Sequence, residues 1–178
     1  KAVTLTGSVP AGKSVAQTAG SVLKKTVMEL GGSDPYLILE DADLELAGDT
    51  CVTSRLINGG QSCIAAKRFI VVESVYDEFK KLFVEKMRSK KMGNPFDEQN
   101  DLGPQASLKL RDELHNQVRK SIEMGAKLVL GGEIPGVKGA FYPPTVLSEV
   151  TKGMPAYDEE LFGPVAALIK AKDENEAI

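Results

Sequence analysis

The sequence predicts an α/β fold with a largely parallel sheet, on three observations. Short apolar, β-branched runs alternate with longer stretches of helical period. Glycine pairs punctuate that alternation at Gly31-Gly32, Gly59-Gly60 and Gly131-Gly132. The longer stretches carry apolar stripes, with Phe79, Leu82, Phe83 and Met87 on one and Leu110, Leu114, Val118 and Ile122 on another.

Taken in order, residues 2–6 predict a short strand. The turn Gly7-Ser8-Val9-Pro10 leads into a helix over about 12–25. Residues 27–30 are short and apolar, and residues 36–39 predict a buried strand. Asp41 is placed to cap a helix that runs to about Ile57 and breaks at Asn58-Gly59-Gly60. Residues 68–72 are aromatic and β-branched, hence a strand. Ser74 is expected to cap the next helix. A loop over 93–103 precedes a helix ending near Met124. Residues 127–130, 145–147 and 165–170 predict three more strands, with a Gly/Pro-rich loop over 133–144. A boundary is expected near Glu29–Gly32, where a first β-α unit gives way to a longer α/β run.

The composition limits the function classes. The 178 residues carry 22 Lys+Arg against 25 Asp+Glu, a net charge of −3, with 42% hydrophobic and 26% charged residues. That is a globular composition with no general pull toward nucleic acid or anionic lipid. No apolar run is long enough to suggest a membrane span. Two cysteines and one histidine make neither a disulfide framework nor a Cys/His metal site. The expected compartment is the reducing cytoplasm. The chain starts inside an apolar run and stops inside a charged, helix-like one, so it is expected to be part of a longer polypeptide.

Gly7 to Ser14 fits the phosphate-binding pattern G-x-x-x-x-G-K-[ST], with a strand before it and a helix after. A nucleotide-binding module of the P-loop type is therefore an alternative. Pro10 and the presence of only two glycines weigh against it, and three other motifs have no role in such a module. Glu29 sits in the apolar stretch Met28-Glu29-Leu30-Gly31-Gly32. Burial there would raise its pKa toward the range of a general base, and a solvent-turned strand end is the plainer reading. Asn58-Gly59-Gly60-Gln61-Ser62-Cys63 is a glycine-loosened loop ending in a thiol. Such a thiol suits a nucleophile whose own N–H meets a developing oxyanion, whereas most lone cysteines are simply buried. Cys51, inside a helix pattern, reads as such a buried thiol. Glu160-Leu161-Phe162-Gly163-Pro164 places a carboxylate and an aromatic two residues apart on a turn, which suits a sugar hydroxyl and a flat ring as well as it suits a surface turn.

In this order, Glu29-Leu30-Gly31-Gly32, Gly60-Gln61-Ser62-Cys63 and Glu160-Leu161-Phe162-Gly163-Pro164 resemble the NAD(P)-dependent aldehyde dehydrogenase family, as do Thr6-Gly7-Ser8 with Gly12, and Asn94-Pro95-Phe96. The resemblance runs from end to end. It implies a family-type catalytic domain over 31–178, preceded over 1–30 by the last β-α unit of a Rossmann-like cofactor domain. It implies Cys63 as nucleophile and Glu29 as the base that activates water. It implies cofactor contacts to NAD or NADP from Gly7, Ser8, the Leu30 carbonyl, Glu160 and Phe162. Ser62 and Ile64 would line the aldehyde pocket, and the whole enzyme would be a homo-oligomer, dimer or tetramer. It further implies sequence beyond both ends, without which no turnover is expected.

Residues 65–69, 111–115 and 142–147 are similar to bacterial succinate-semialdehyde dehydrogenases, which implies a small carboxylate-bearing aldehyde as substrate. Some members with that substrate carry an arginine where Ile57 stands here. Arg55 is a candidate substitute, with a surface arginine as the plainer reading. His115 reads as a solvated or capping residue, the basic stretch around residues 80–91 as a solvated face, and Lys67-Arg68 as a basic pair leading into a strand that could lie near a phosphate.

Overall fold

A computed structural model describes residues 1–178, which divide into two compact units, Lys1–Gly32 and Ser33–Ile178. In the first unit, β1 (Ala2–Thr6), α1 (Val9–Ser21) and β2 (Lys25–Glu29) form one crossover with the two strands parallel. Helix α1 starts and stops earlier than the sequence pattern predicts. Ser8 caps it, its Oγ accepting from the Ala11 N–H at 3.4 Å, and Pro10 fits the first turn, where no N–H is required. It ends where Leu23 enters the left-handed region at φ 53°. Gly12 is buried because the helix crosses the strand end closely: a Cβ there would lie 2.6 Å from the Leu30 side chain.

The second unit is a five-stranded sheet in the order β3-β4-β7-β6-β5. Its strands are β3 (Pro35–Ile38), β4 (Arg68–Val72), β5 (Lys127–Leu130), β6 (Thr145–Ser148) and β7 (Val165–Ala171). All neighbours run parallel except β5, which pairs antiparallel with β6 at the edge. Helices cover both faces. Along β7, Ala166 and Leu168 join a core with Phe69, Val71, Cys51 of α2 (Leu44–Leu56), and Tyr76, Phe79, Phe83 and Met87 of α3 (Glu73–Arg88). The alternate residues Ala167 and Ile169 join a second core with Leu114 and Val118 of α4 (Leu108–Glu123). This period-two split is what a sheet buried on both sides imposes.

The caps correct two expectations. Asp43, not Asp41, caps α2, because its Oδ1 lies three residues before the Leu46 N–H that it accepts from at 3.1 Å. β4 runs directly into α3 at Glu73, so Ser74 lies inside the helix and caps nothing. Two short helices, α5 (Pro155–Asp158) and α6 (Glu174–Ala177), complete the unit. No helix is long and apolar enough to cross a membrane.

Candidate active site

Helix α2 ends at Leu56, and a short 3₁₀ turn, Ile57–Gly60, opens the cysteine loop. Asn58, Gly59 and Gly60 all have positive φ, at 51°, 64° and 77°. Gly60 has a second reason to lack a side chain: a Cβ would lie 2.2 Å from the Gly163 carbonyl oxygen. The cysteine loop is thereby packed against the turn after Glu160. Asn58 Nδ2 donates to the Gln61 carbonyl at 3.0 Å, and Gln61 Oε1 accepts from the Ala106 N–H at 2.7 Å.

Two cations lie beneath this loop. Arg55 and Lys67 are 0% and 1% exposed. Arg55 Nη2 donates to the Gly60 carbonyl at 2.8 Å, while its Nε and Nη1 have no partner. Burial lowers its pKa to about 10, against the opposing effect of the Glu160 charge. The expectation of a pocket or surface arginine at this position is therefore corrected, since no solvent or substrate reaches it. Lys67 Nζ donates to the carbonyls of Ser62 at 3.1 Å, Cys63 at 3.0 Å and Ala65 at 3.0 Å. It also lies 3.2 Å from Glu160 Oε1. Burial holds the Lys67 pKa below the usual lysine value, and the Glu160 carboxylate opposes this.

An ammonium has three protons, and three carbonyls take them. Glu160 Oε1 is consequently a charge partner without an aligned hydrogen bond, a buried acceptor with none of its own. The Glu160 side chain as a whole remains 25% exposed, so the rest of its carboxylate still presents surface to a ligand hydroxyl. Phe162, two residues on, is 36% exposed, and with Glu160 it lines a cavity against Leu110, Leu114 and Gln117 of α4.

The loop brings Ser62, Cys63 and Glu160 together around Lys67. Cys63 is exposed and Cys51 is buried, its pKa pushed up to about 12 by desolvation. Ile64, 71% exposed, lines a different hollow from Phe162, one shared with Tyr36, Thr53 and Ile57. Glu29, Gly7, Ser8 and Leu30 belong to the first unit. Glu29 ends β2 with its side chain exposed, and its carbonyl accepts from the Gly7 N–H at 3.0 Å. The P-loop alternative fails on local geometry. Only Gly7 and Ser8 separate β1 from α1, so no cradle forms, and Gly12, Lys13 and Ser14 lie inside the helix. Three side chains read from the sequence as solvated or merely basic lie partly or wholly inside the fold. His115 is half-buried, its Nδ1 3.2 Å from the Tyr142 hydroxyl, and Lys67 and Arg55 are interior. Their parity carried the signal: Lys67 falls in step with buried Phe69 and Val71, and Arg55 falls four residues after Cys51 on the buried face of α2.

Comparison with known proteins places the chain. The sequence model of the aldehyde dehydrogenase family matches residues 1–178. The chain belongs to this family. It is 54% identical over 177 residues to the succinate semialdehyde dehydrogenase [NAD(P)+] Sad of Escherichia coli, covering 99% of this chain and 38% of that protein. It is 52% identical to a succinate-semialdehyde dehydrogenase [NADP(+)] of Mycobacterium avium over the same shares. Among solved structures, lactaldehyde dehydrogenase from Escherichia coli superposes with a TM-score of 0.96 at 38% identity, covering 98% of this chain and 37% of that one. The chain thus spans well under half the length of these relatives.

Proposed function

We propose that these residues serve, within a full-length enzyme, as the nucleophile-bearing part of an NAD(P)-dependent aldehyde dehydrogenase that oxidises succinate semialdehyde to its acid. The observation that carries this reading is the exposed Cys63 thiol on a loop whose carbonyls are held inward by a buried cation. The substrate follows from the succinate-semialdehyde dehydrogenases among the relatives and from the resemblance carried by residues 65–69, 111–115 and 142–147. The cytoplasm is proposed from the two unpaired cysteines, and a homo-oligomer of two or four subunits from the family resemblance. The assignment of the first unit to the cofactor domain and of the second to the catalytic domain is proposed on that resemblance too.

In this reading Cys63 attacks the aldehyde carbon as a thiolate, and its backbone N–H holds the resulting oxyanion. Ser62 and Ile64 flank the thiol and shape the aldehyde's approach. The cofactor, when bound, supplies the hydride acceptor that turns the thiohemiacetal into a thioester. Glu160, through the exposed part of its carboxylate, is suited to the ribose hydroxyls, and Phe162 to the face of a flat ring. Gly7, Ser8 and the Leu30 carbonyl are proposed as further cofactor contacts. Glu29 is proposed as the general base that activates water to release the acid.

The test is Cys63→Ala in the full-length enzyme. Aldehyde-dependent reduction of NAD(P)+ should fall by about 10⁴-fold or more, as expected when a covalent nucleophile is lost. Activity within about tenfold of wild type would remove Cys63 from the mechanism. In a second arm, the isolated 178-residue chain should show no appreciable turnover.

A further inference from the structure

The buried cation under the cysteine loop has a consequence for the direction of the loop's N–H groups. A trans peptide is planar, so each N–H points opposite to the carbonyl of its own peptide unit. Lys67 Nζ draws the Ser62 carbonyl inward at 3.1 Å and the Cys63 carbonyl inward at 3.0 Å. The N–H groups of Cys63 and Ile64 are thereby turned the opposite way, and these are the residues whose side chains are exposed. The third donation, to the Ala65 carbonyl at 3.0 Å, closes the turn around the ammonium. A charged donor on a carbonyl also polarises the whole peptide unit, which strengthens the N–H at its other end.

We infer that Lys67 is a positioning residue for the oxyanion donor: it fixes the 62–63 and 63–64 peptide planes so that their N–H groups face the oxygen of an aldehyde at Cys63. The inference rests on the reading of Cys63 as nucleophile. In that step the sulfur forms a bond to the carbonyl carbon, and the π pair of the C=O bond moves to oxygen. The alkoxide then meets an N–H whose direction is already set. Lys67 never touches the substrate, because it is 1% exposed. Its charge is held in place by carbonyls on one side and Glu160 Oε1, 3.2 Å away, on the other.

The experiment compares two reactions of the same sulfur in full-length Lys67→Met. Alkylation of Cys63 by iodoacetamide develops no oxyanion, whereas hydride transfer from the aldehyde passes through one. Single-turnover hydride transfer, with cofactor saturating and sites counted by alkylation, should slow by about ten- to a hundredfold. The alkylation rate constant should stay within about threefold of wild type, because Lys67 donates to the loop's carbonyls and makes no hydrogen bond to the sulfur. Equal losses in both reactions would show a general structural role and overturn the inference, as would hydride transfer at the wild-type rate. If the methionine variant does not fold, Lys67→Arg carries the same test. A planar guanidinium keeps the charge but cannot meet three carbonyls that converge on one point, so the same split is expected. A folded arginine variant with both rates unchanged, or both equally reduced, overturns the inference too. Cys63→Ala separates the two failures: activity surviving that change sinks the nucleophile, whereas wild-type hydride transfer in the Lys67 variants sinks only the positioning role.

Discussion

Helix α2 and the loop that follows it, residues 57–67, each carry a cysteine and are built on opposite plans. In α2 the backbone satisfies itself and the side chains face the core, so Cys51 is 2% exposed among apolar neighbours. In the loop the carbonyls turn inward onto the charged ends of Arg55 and Lys67, and the thiol of Cys63 is left outside. Burying a cation is costly unless its donors are satisfied. Here backbone carbonyls satisfy Lys67 and, at Nη2 alone, Arg55, and the arrangement aims both a sulfur and its neighbouring N–H groups away from the interior. The contrast shows that exposure of a thiol can be imposed by what is buried beneath it.

The largest effect expected from this contrast is in thiol chemistry. With a pKa of about 12, Cys51 is a thiolate in only about one molecule in 10⁴ at pH 8. Iodoacetamide should therefore label Cys63 at least about a thousandfold faster than Cys51 in the folded full-length protein, read by mass spectrometry of the two peptides. Comparable rates would mean that the two regions do not differ as described.

A pair of glycines sharpens the same contrast in stability. Gly60→Ala puts a Cβ 2.2 Å from a backbone oxygen at a residue with φ 77°, and neither strain can relax through a side chain. It should destabilise the protein by about 2–4 kcal/mol and slow alkylation of Cys63 as the loop shifts. Gly48→Ala, in α2, meets only the flexible ends of Lys86 and Leu82 at 3.1 and 3.2 Å. A gain in helix propensity of about 1 kcal/mol offsets that crowding, so the change should be nearly neutral. Equal losses of stability in urea melts of the two variants would contradict the distinction.

The sheet was legible in the sequence because its strands are short apolar runs closed by glycines, and because the α3 and α4 stripes keep helical spacing. Its edge strand was not: nothing in residues 127–130 distinguishes an antiparallel partner from a parallel one, since that depends on which strand it meets. Cap positions lie two residues from the expected Asp41 and Ser74, because backbone geometry rather than residue type decides where the helix starts. Cys63 was legible from its glycines. The cations that position it were not, because lysine and arginine read as surface residues unless their parity with Phe69 and Cys51 is weighed against their charge. The P-loop pattern misled for a related reason. The pattern specifies residue types, whereas the cradle requires a loop, and Ser8 with Pro10 starts the helix too soon to leave one.

The smallest effect isolates Cys51 by pH. Its pKa rises from an ordinary value of 9.0 to about 12 on folding, through desolvation. A raised folded pKa means that the unfolded chain releases the proton first. The stabilisation is therefore full below pH 9 and is lost as pH climbs from there toward 12. At pH 10 the loss is on the order of 1 kcal/mol, whereas at pH 8 it is negligible. Cys51→Ala removes a buried sulfur, a packing loss that does not depend on pH, and with it the titration. Tyr76 and Tyr142, also pushed up by burial, remain in both proteins and cancel. The stability advantage of wild type over Cys51→Ala should accordingly shrink by about 1 kcal/mol between pH 8 and pH 10, read from parallel urea melts. A constant gap would show that water reaches the Cys51 sulfur, and that the helix and the loop treat their thiols more alike than their packing indicates.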